Sequence, residues 1–187
     1  MIRVPKIAVL LPFAVMVGIG IGHAQSTRTQ DAPRTALTQS AVVASAETKH
    51  LTVRATLSEN EAAPGARISV TLDIRPKPGM HMYAPGGKYA PLTLQIPSQP
   101  FVTVHDAVYP PAEDYFFAPL NEHAQVYSEP FRLVRDVTIG DGSDRSTPTP
   151  MPSRLTVKGT LQYQACDDRF CYLRTSVPLQ WTLKIKH

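Results

Sequence analysis

An all-β fold is predicted by three observations on this 187-residue chain. Apolar and polar residues alternate with period two in one segment after another. Clusters of proline and glycine fall at the joints between those segments, and no segment past residue 48 carries the 3.6-residue period of an amphipathic helix. About seven or eight short strands at regular spacing in a chain of this size predict an antiparallel β-sandwich of immunoglobulin-like kind. An up-and-down barrel is the competing arrangement.

The elements follow in chain order. MIRVPKIAVLLPFAVMVGIGIGHAQ places Arg3 and Lys6 ahead of an uncharged apolar run at residues 7–22, the profile of a secretory signal peptide. Gly22 and Ala24 supply the small residues a signal peptidase reads, so residues 1–24 are expected to be removed after Ala24. The run falls short of the ~20 apolar residues a bilayer span needs, so no stable membrane insertion is expected after cleavage. Residues 25–48 are rich in Ser, Thr, Ala and Gln without an aromatic, which predicts a flexible leader. The folded domain is expected over residues 49–187.

Alternation begins at Leu51, with Val53, Ala55 and Leu57 on the same side, and returns in ARISVTLDI, LTLQI, FVTVHDAV and FRLVRDVTI. It closes in RLTVKGTLQY and SVPLQWTLKI, whose inward series are Leu155, Val157, Leu161, Tyr163 and Val177, Leu179, Trp181, Leu183, Ile185. Many of the 18 prolines lie in the joints AAPGA, RPKPGM, YAPGGKYAP and IPSQP, and in the polar loop over residues 140–153. The net charge of +4 includes Arg3 and Lys6, and the remaining excess forms no basic run. Nucleic acid is therefore not expected as a partner.

The chemistry concentrates in YQACDDRFCYL at residues 163–173, which holds both cysteines of the chain, Cys166 and Cys171. The last two alternating runs flank it, so a hairpin with a cysteine at each end of its turn is expected. Exported chains meet oxidising conditions, and two cysteines permit one pairing. Closing so short a loop removes little unfolded-chain entropy, so a bridge here does little as a brace. Three readings stand side by side: an inert hairpin disulfide, a dithiol that works by thiol–disulfide exchange, and, more weakly, a zinc site. The last lacks a second Cys-x-x-Cys or paired histidines, so no metal or cofactor is expected. Asp167 and Asp168 disfavour a nearby thiolate and Arg169 favours it, two tendencies that oppose each other.

GTLQYQACDDRFCYLRTSVPLQW resembles the terminal hairpin of the amino-terminal periplasmic domain of DsbD, the thiol:disulfide interchange protein. KPGMHMYAPG is similar to that family's lysine-proline-glycine stretch, and VYPPAEDYFFAPLNEHAQVYSEPFRL to the segment forming its cap loop. The resemblance implies an immunoglobulin-like sandwich whose dithiol passes electrons to oxidised periplasmic partners. It assigns Cys171 as the sulfur that forms the mixed disulfide and Cys166 as the one that resolves it. It also implies that Tyr115, Phe116 and Phe117 cover the pair from the cap loop, and that His81 and Tyr83 line the site. An apolar lid of this kind confines exchange to chosen partners. Arg174 departs from the family, which favours proline shortly after the second cysteine. The sequence stops just after the last expected strand, so electrons are expected in trans, from a DsbD-like membrane carrier and thioredoxin-like periplasmic proteins.

Overall fold

The computed structural model describes residues 42–118, 121–140 and 150–186. The expected signal peptide at residues 1–24, and the leader as far as residue 41, lie outside the described residues. Thirteen strands are present among those described: β1 (Val42–Glu47), β2 (Leu51–Leu57), β3 (Glu61–Ala62), β4 (Arg67–Pro76), β5 (His81–Tyr83), β6 (Thr93–Gln95), β7 (Val102–Val108), β8 (Glu113–Phe117), β9 (Glu122–Tyr127), β10 (Phe131–Ile139), β11 (Arg154–Tyr163), β12 (Ala165–Cys166) and β13 (Thr175–Ile185).

Two sheets make the body of the fold. One has the order β1-β2-β4-β10-β7, the other β3-β13-β11-β6, and both place their inward residues in one hydrophobic cluster. Antiparallel ladders dominate, with a single parallel pairing among the described residues, that of β13 to β3. The alternation read from sequence is the packing pattern: Ile68, Val70, Leu72 and Ile74 of β4 are fully buried, as are Val157, Leu161 and Tyr163 of β11. Each such side chain contributes on the order of 1.5–3 kcal/mol of apolar burial. Trp181 fills the centre from β13 at 1% exposure, opposite Val157 in register. Gly159 occupies an inward position of β11 where a side chain does not fit, since an added Cβ would stand 3.0 Å from Trp181 Cη2 and 3.2 Å from the Gln95 carbonyl. The immunoglobulin-like sandwich is thus the fold of this chain.

A third sheet, order β12-β5-β9-β8, is laid against one end of this body and ends at β8. Its strands are short and were not evident from alternation. All three residues of β5 are buried, so no contrast between its two faces is visible in the sequence. The segment expected as a cap loop forms the β8–β9 hairpin, with Tyr115 opposite Ala124 and Phe117 opposite Glu122. Its outer strand reads EDYFF, with Tyr115 and Phe117 half-buried and no residue fully buried, which hides the strand from a hydrophobicity pattern.

Two further expectations are corrected. Residues 42–47, assigned to a flexible leader, form β1 along β2, with Ala44 and Ala46 packed against the core. Alanine gives little hydrophobic contrast, so this strand looked like linker. The cysteines also do not sit on one continuous hairpin. The β11–β13 ladder stops at Tyr163↔Thr175, and beyond it the chain bends away so that Ala165 and Cys166 pair with Met82 and His81 of β5.

Candidate functional site

The site is built on one face of the third sheet. Turn residues Lys77, Pro78 and Gly79 deliver the chain into β5, with the Met80 amide donating to the Lys77 carbonyl at 2.9 Å and Gly79 at φ 76°. Proline followed by glycine is the sequence for a turn whose third residue needs positive φ. Side chains two apart on a strand share a face, so His81 and Tyr83 emerge together, while Met82 turns into the main core. Cys166 is the cross-strand partner of His81 and shares its face.

Cys166 and Cys171 form a disulfide with Cα atoms 4.0 Å apart. The two residues face each other as an isolated antiparallel bridge at the tip of the bend. Cys166 is 1% exposed, whereas Cys171 lies at the surface. Beside it stand Phe170, 66% exposed, and Leu173, 90% exposed. The tip is held by its own hydrogen bonds. Asp167 Oδ1 accepts from the Arg169 and Phe170 amides at 2.8 and 2.7 Å, and Asp167 Oδ2 accepts from the Tyr172 hydroxyl at 2.7 Å. These three donors hold the Asp167 carboxyl below the usual carboxylate range, the Tyr172 bond first among them. The Asp167 amide donates to Phe170 O at 2.9 Å, and the Tyr172 amide to Ala165 O at 2.8 Å. Behind the tip, the Tyr172 ring lies 4.7 Å from that of His50.

The hydroxyl of Tyr83 stands 3.5 Å from Cys166 Sγ and 3.6 Å from Cys171 Sγ. A disulfide sulfur carries no proton, so the hydroxyl is the donor toward either sulfur. Burial, followed by the neighbouring Tyr89, Tyr115 and Glu122, raises the Tyr83 pKa and keeps that proton in place. Tyr89 stacks on Tyr83 with ring centroids 4.3 Å apart, and its own hydroxyl donates to Glu122.

His81 is 5% exposed and lies 4.4 Å from the Tyr115 ring. Burial lowers its pKa below the ordinary histidine value, against the opposing pull of Asp168 and then Asp167. The Tyr115 hydroxyl donates to Asp168 Oδ1 at 3.1 Å. Burial and then this bond raise the pKa of Tyr115. A cavity of about 460 Å³ opens beside the disulfide, walled by His81, Tyr115, Asp168, Met80 and Pro130.

Of the residues singled out from sequence, the structure brings Cys166, Cys171, Tyr83, His81 and Tyr115 together. Phe116 points to the opposite face of β8, where its ring lies 4.9 Å from His123. Phe117 shares the face of Tyr115 and is half-buried. Sequence reasoning missed Tyr89 and Tyr172 as members of the site, and it weighed Asp168 only for its charge, not as the partner of Tyr115. A tyrosine on either side of the APGGK turn was the available signal for Tyr89, since a tight turn folds its flanks onto each other. Among the described residues no cluster of metal-ligating side chains occurs, and no helix is long and apolar enough to cross a membrane.

Residues 50–178 match the family described as thiol:disulfide interchange protein DsbD, N-terminal. Among solved structures, the chain is similar to the N-terminal periplasmic domain of ScsB from Proteus mirabilis, with a TM-score of 0.52 and 18% sequence identity. That similarity covers 76% of this chain and 51% of the other, so the chain spans about half the length of its structural relative. At this identity the likeness speaks for the fold alone. No curated protein matches the chain.

Proposed function

Because the chain belongs to the family of the N-terminal domain of the thiol:disulfide interchange protein DsbD, we propose that it is a periplasmic interchange module working through Cys166 and Cys171. The observation that carries this reading is the asymmetry of the bridge. Cys171 is exposed, Cys166 is buried, and one phenolic hydroxyl lies within 3.6 Å of both sulfurs. A brace has no use for that arrangement, whereas exchange does.

In the reduced module the Cys171 thiolate attacks a partner disulfide, and a mixed disulfide forms as one partner sulfur leaves with an electron pair. Cys166 then attacks Cys171 Sγ, the intramolecular bridge closes, and the second partner sulfur is released. The Tyr83 hydroxyl donates to whichever sulfur carries negative charge, which favours the thiolate. Tyr115 and the half-buried Phe117 restrict approach to the pair, in the manner expected of a cap. Thioredoxin-like periplasmic proteins are the partners we assign, with a membrane electron carrier supplying electrons in trans and a cleaved signal peptide delivering the chain.

The test is the reduction potential of the pair, measured by equilibration with glutathione buffers and trapping of free thiols. A value in the range of roughly −120 to −270 mV with the fold retained supports a working dithiol. A value below about −300 mV, or unfolding on reduction, identifies an exported β-sandwich binding domain with an inert bridge instead.

A further inference from the structure

The exchange reading leaves one proton without an acceptor. Once Cys171 is joined to a partner, Cys166 must lose its S–H proton before it can attack. Cys166 is 1% exposed, and burial favours the protonated thiol. The groups that face it are few. Tyr83 and Tyr115 are phenols kept protonated, and Tyr115 is committed to Asp168. Asp167 already accepts three hydrogen bonds, which makes it a poor base, and Asp168, engaged by the Tyr115 hydroxyl, is a carboxylate, ordinarily a weaker base than an imidazole. Lys77 and Glu129 also line the cavity, and Lys77 is paired with Glu47. The remaining group is His81, set directly across the strand pair from Cys166, where facing Cβ atoms lie about 4.5–5.5 Å apart.

We propose that His81 is the base that takes the proton from Cys166 when Cys166 resolves the mixed disulfide at Cys171. The inference rests on the exchange reading above. In the step, the Cys166 S–H bond breaks and its proton passes to an imidazole nitrogen. The sulfur electron pair forms the bond to Cys171 Sγ, the bond from Cys171 to the partner breaks, and its electron pair leaves on the partner sulfur. Cys166 and Cys171 are oxidised together by two electrons, and the partner is reduced. The imidazolium is steadied by Asp168 and Asp167, the two carboxylates that already act on His81. It returns its proton to solvent through the cavity that His81, Tyr115 and Asp168 wall. An imidazole that stays neutral at neutral pH is in the form such a base requires.

The experiment mixes the reduced protein with excess 5,5′-dithiobis(2-nitrobenzoate) in a stopped-flow instrument. The first thionitrobenzoate reports attack by Cys171 and the second reports resolution by Cys166, an assignment secured if Cys166→Ser retains only the first. In His81→Gln the second phase is expected to slow at least about tenfold relative to the first at pH 7. Its pH inflection should move from the histidine range up to that of the buried thiol, at or above the ordinary value of about 8.5. An unchanged phase ratio and pH profile in His81→Gln overturns the role. If that variant does not fold, the imidazole C2–H of His81 in the native protein is titrated by NMR. Its inflection must match that of the second phase, and a mismatch of more than about one pH unit overturns the proposal. Should the native protein release no second equivalent, the exchange reading itself falls, and the role of His81 with it.

Discussion

The β11–β13 ladder and the third sheet solve opposite problems with the same secondary structure. The ladder runs unbroken from Arg154↔Lys184 to Tyr163↔Thr175 and buries an aliphatic series around Trp181. The third sheet is made of brief pairings, such as β12 with β5 over Ala165↔Met82 and Cys166↔His81, and it fills its face with tyrosines, a histidine and a disulfide. Apolar burial in the first region secures the fold, which frees the second to hold polar groups at fixed distances. The bridge therefore need not staple the domain, and it remains available for chemistry.

The comparison breaks most sharply at the tryptophan. Trp181→Ala is expected to cost about 3–5 kcal/mol in urea unfolding, because the gap it leaves cannot collapse between two sheets. A loss below about 1 kcal/mol would mean that the core is not where stability resides. Reducing the bridge comes next. Its cysteines are five residues apart, and loop closure on that scale is worth only about 2 kcal/mol. Circular dichroism of the reduced protein should thus remain that of a folded sandwich, and its collapse would erase the division of labour. Tyr83→Phe sharpens the comparison from the other side. It should leave urea stability within about 1 kcal/mol, yet slow exchange with a small disulfide by about tenfold, since the lost hydroxyl faces both sulfurs.

The smallest effects are in pH. Burial lowers the His81 pKa in the fold, so the unfolded chain binds the proton more readily. The contribution of His81 to stability is then present above 6.5, its ordinary value, and is lost as pH falls through its lower folded value. Stability measured from pH 7 downward should decline less in His81→Gln than in the native chain. At the tip, the depressed Asp167 pKa keeps its three hydrogen bonds intact above 3.8. Amide protection of Arg169 and Phe170 should fade only as pH drops below that value, which hydrogen exchange can follow.

Legibility from sequence divides along the same line. β2, β4, β11 and β13 announce themselves because one face of each is buried and the other wet, which is what period two records. β5, β8 and β12 do not, since each is short and either buried throughout or, as in β8, without a fully buried face. The cysteines and Tyr83 were legible through their neighbours in sequence. Asp168 was legible as a charge between the cysteines, but its bond to Tyr115, 53 residues away along the chain, was not. Tyr172 looked like one more residue of a strand and is instead the clasp that Asp167 holds. Such roles come from where the chain bends, and composition does not encode the bend.

The end of the third sheet carries a consequence for solubility. β8 closes that sheet with its outer edge unpaired among the described residues, and an open edge is a template for adding a strand from another molecule. Two prolines precede it, and its first residues, Glu113 and Asp114, are charged, with Asp114 also accepting from Gln125 at 3.2 Å. Proline and charge at an edge discourage intermolecular pairing. The residues that conceal β8 from a sequence reader also guard the protein against aggregating through the margin of its disulfide site.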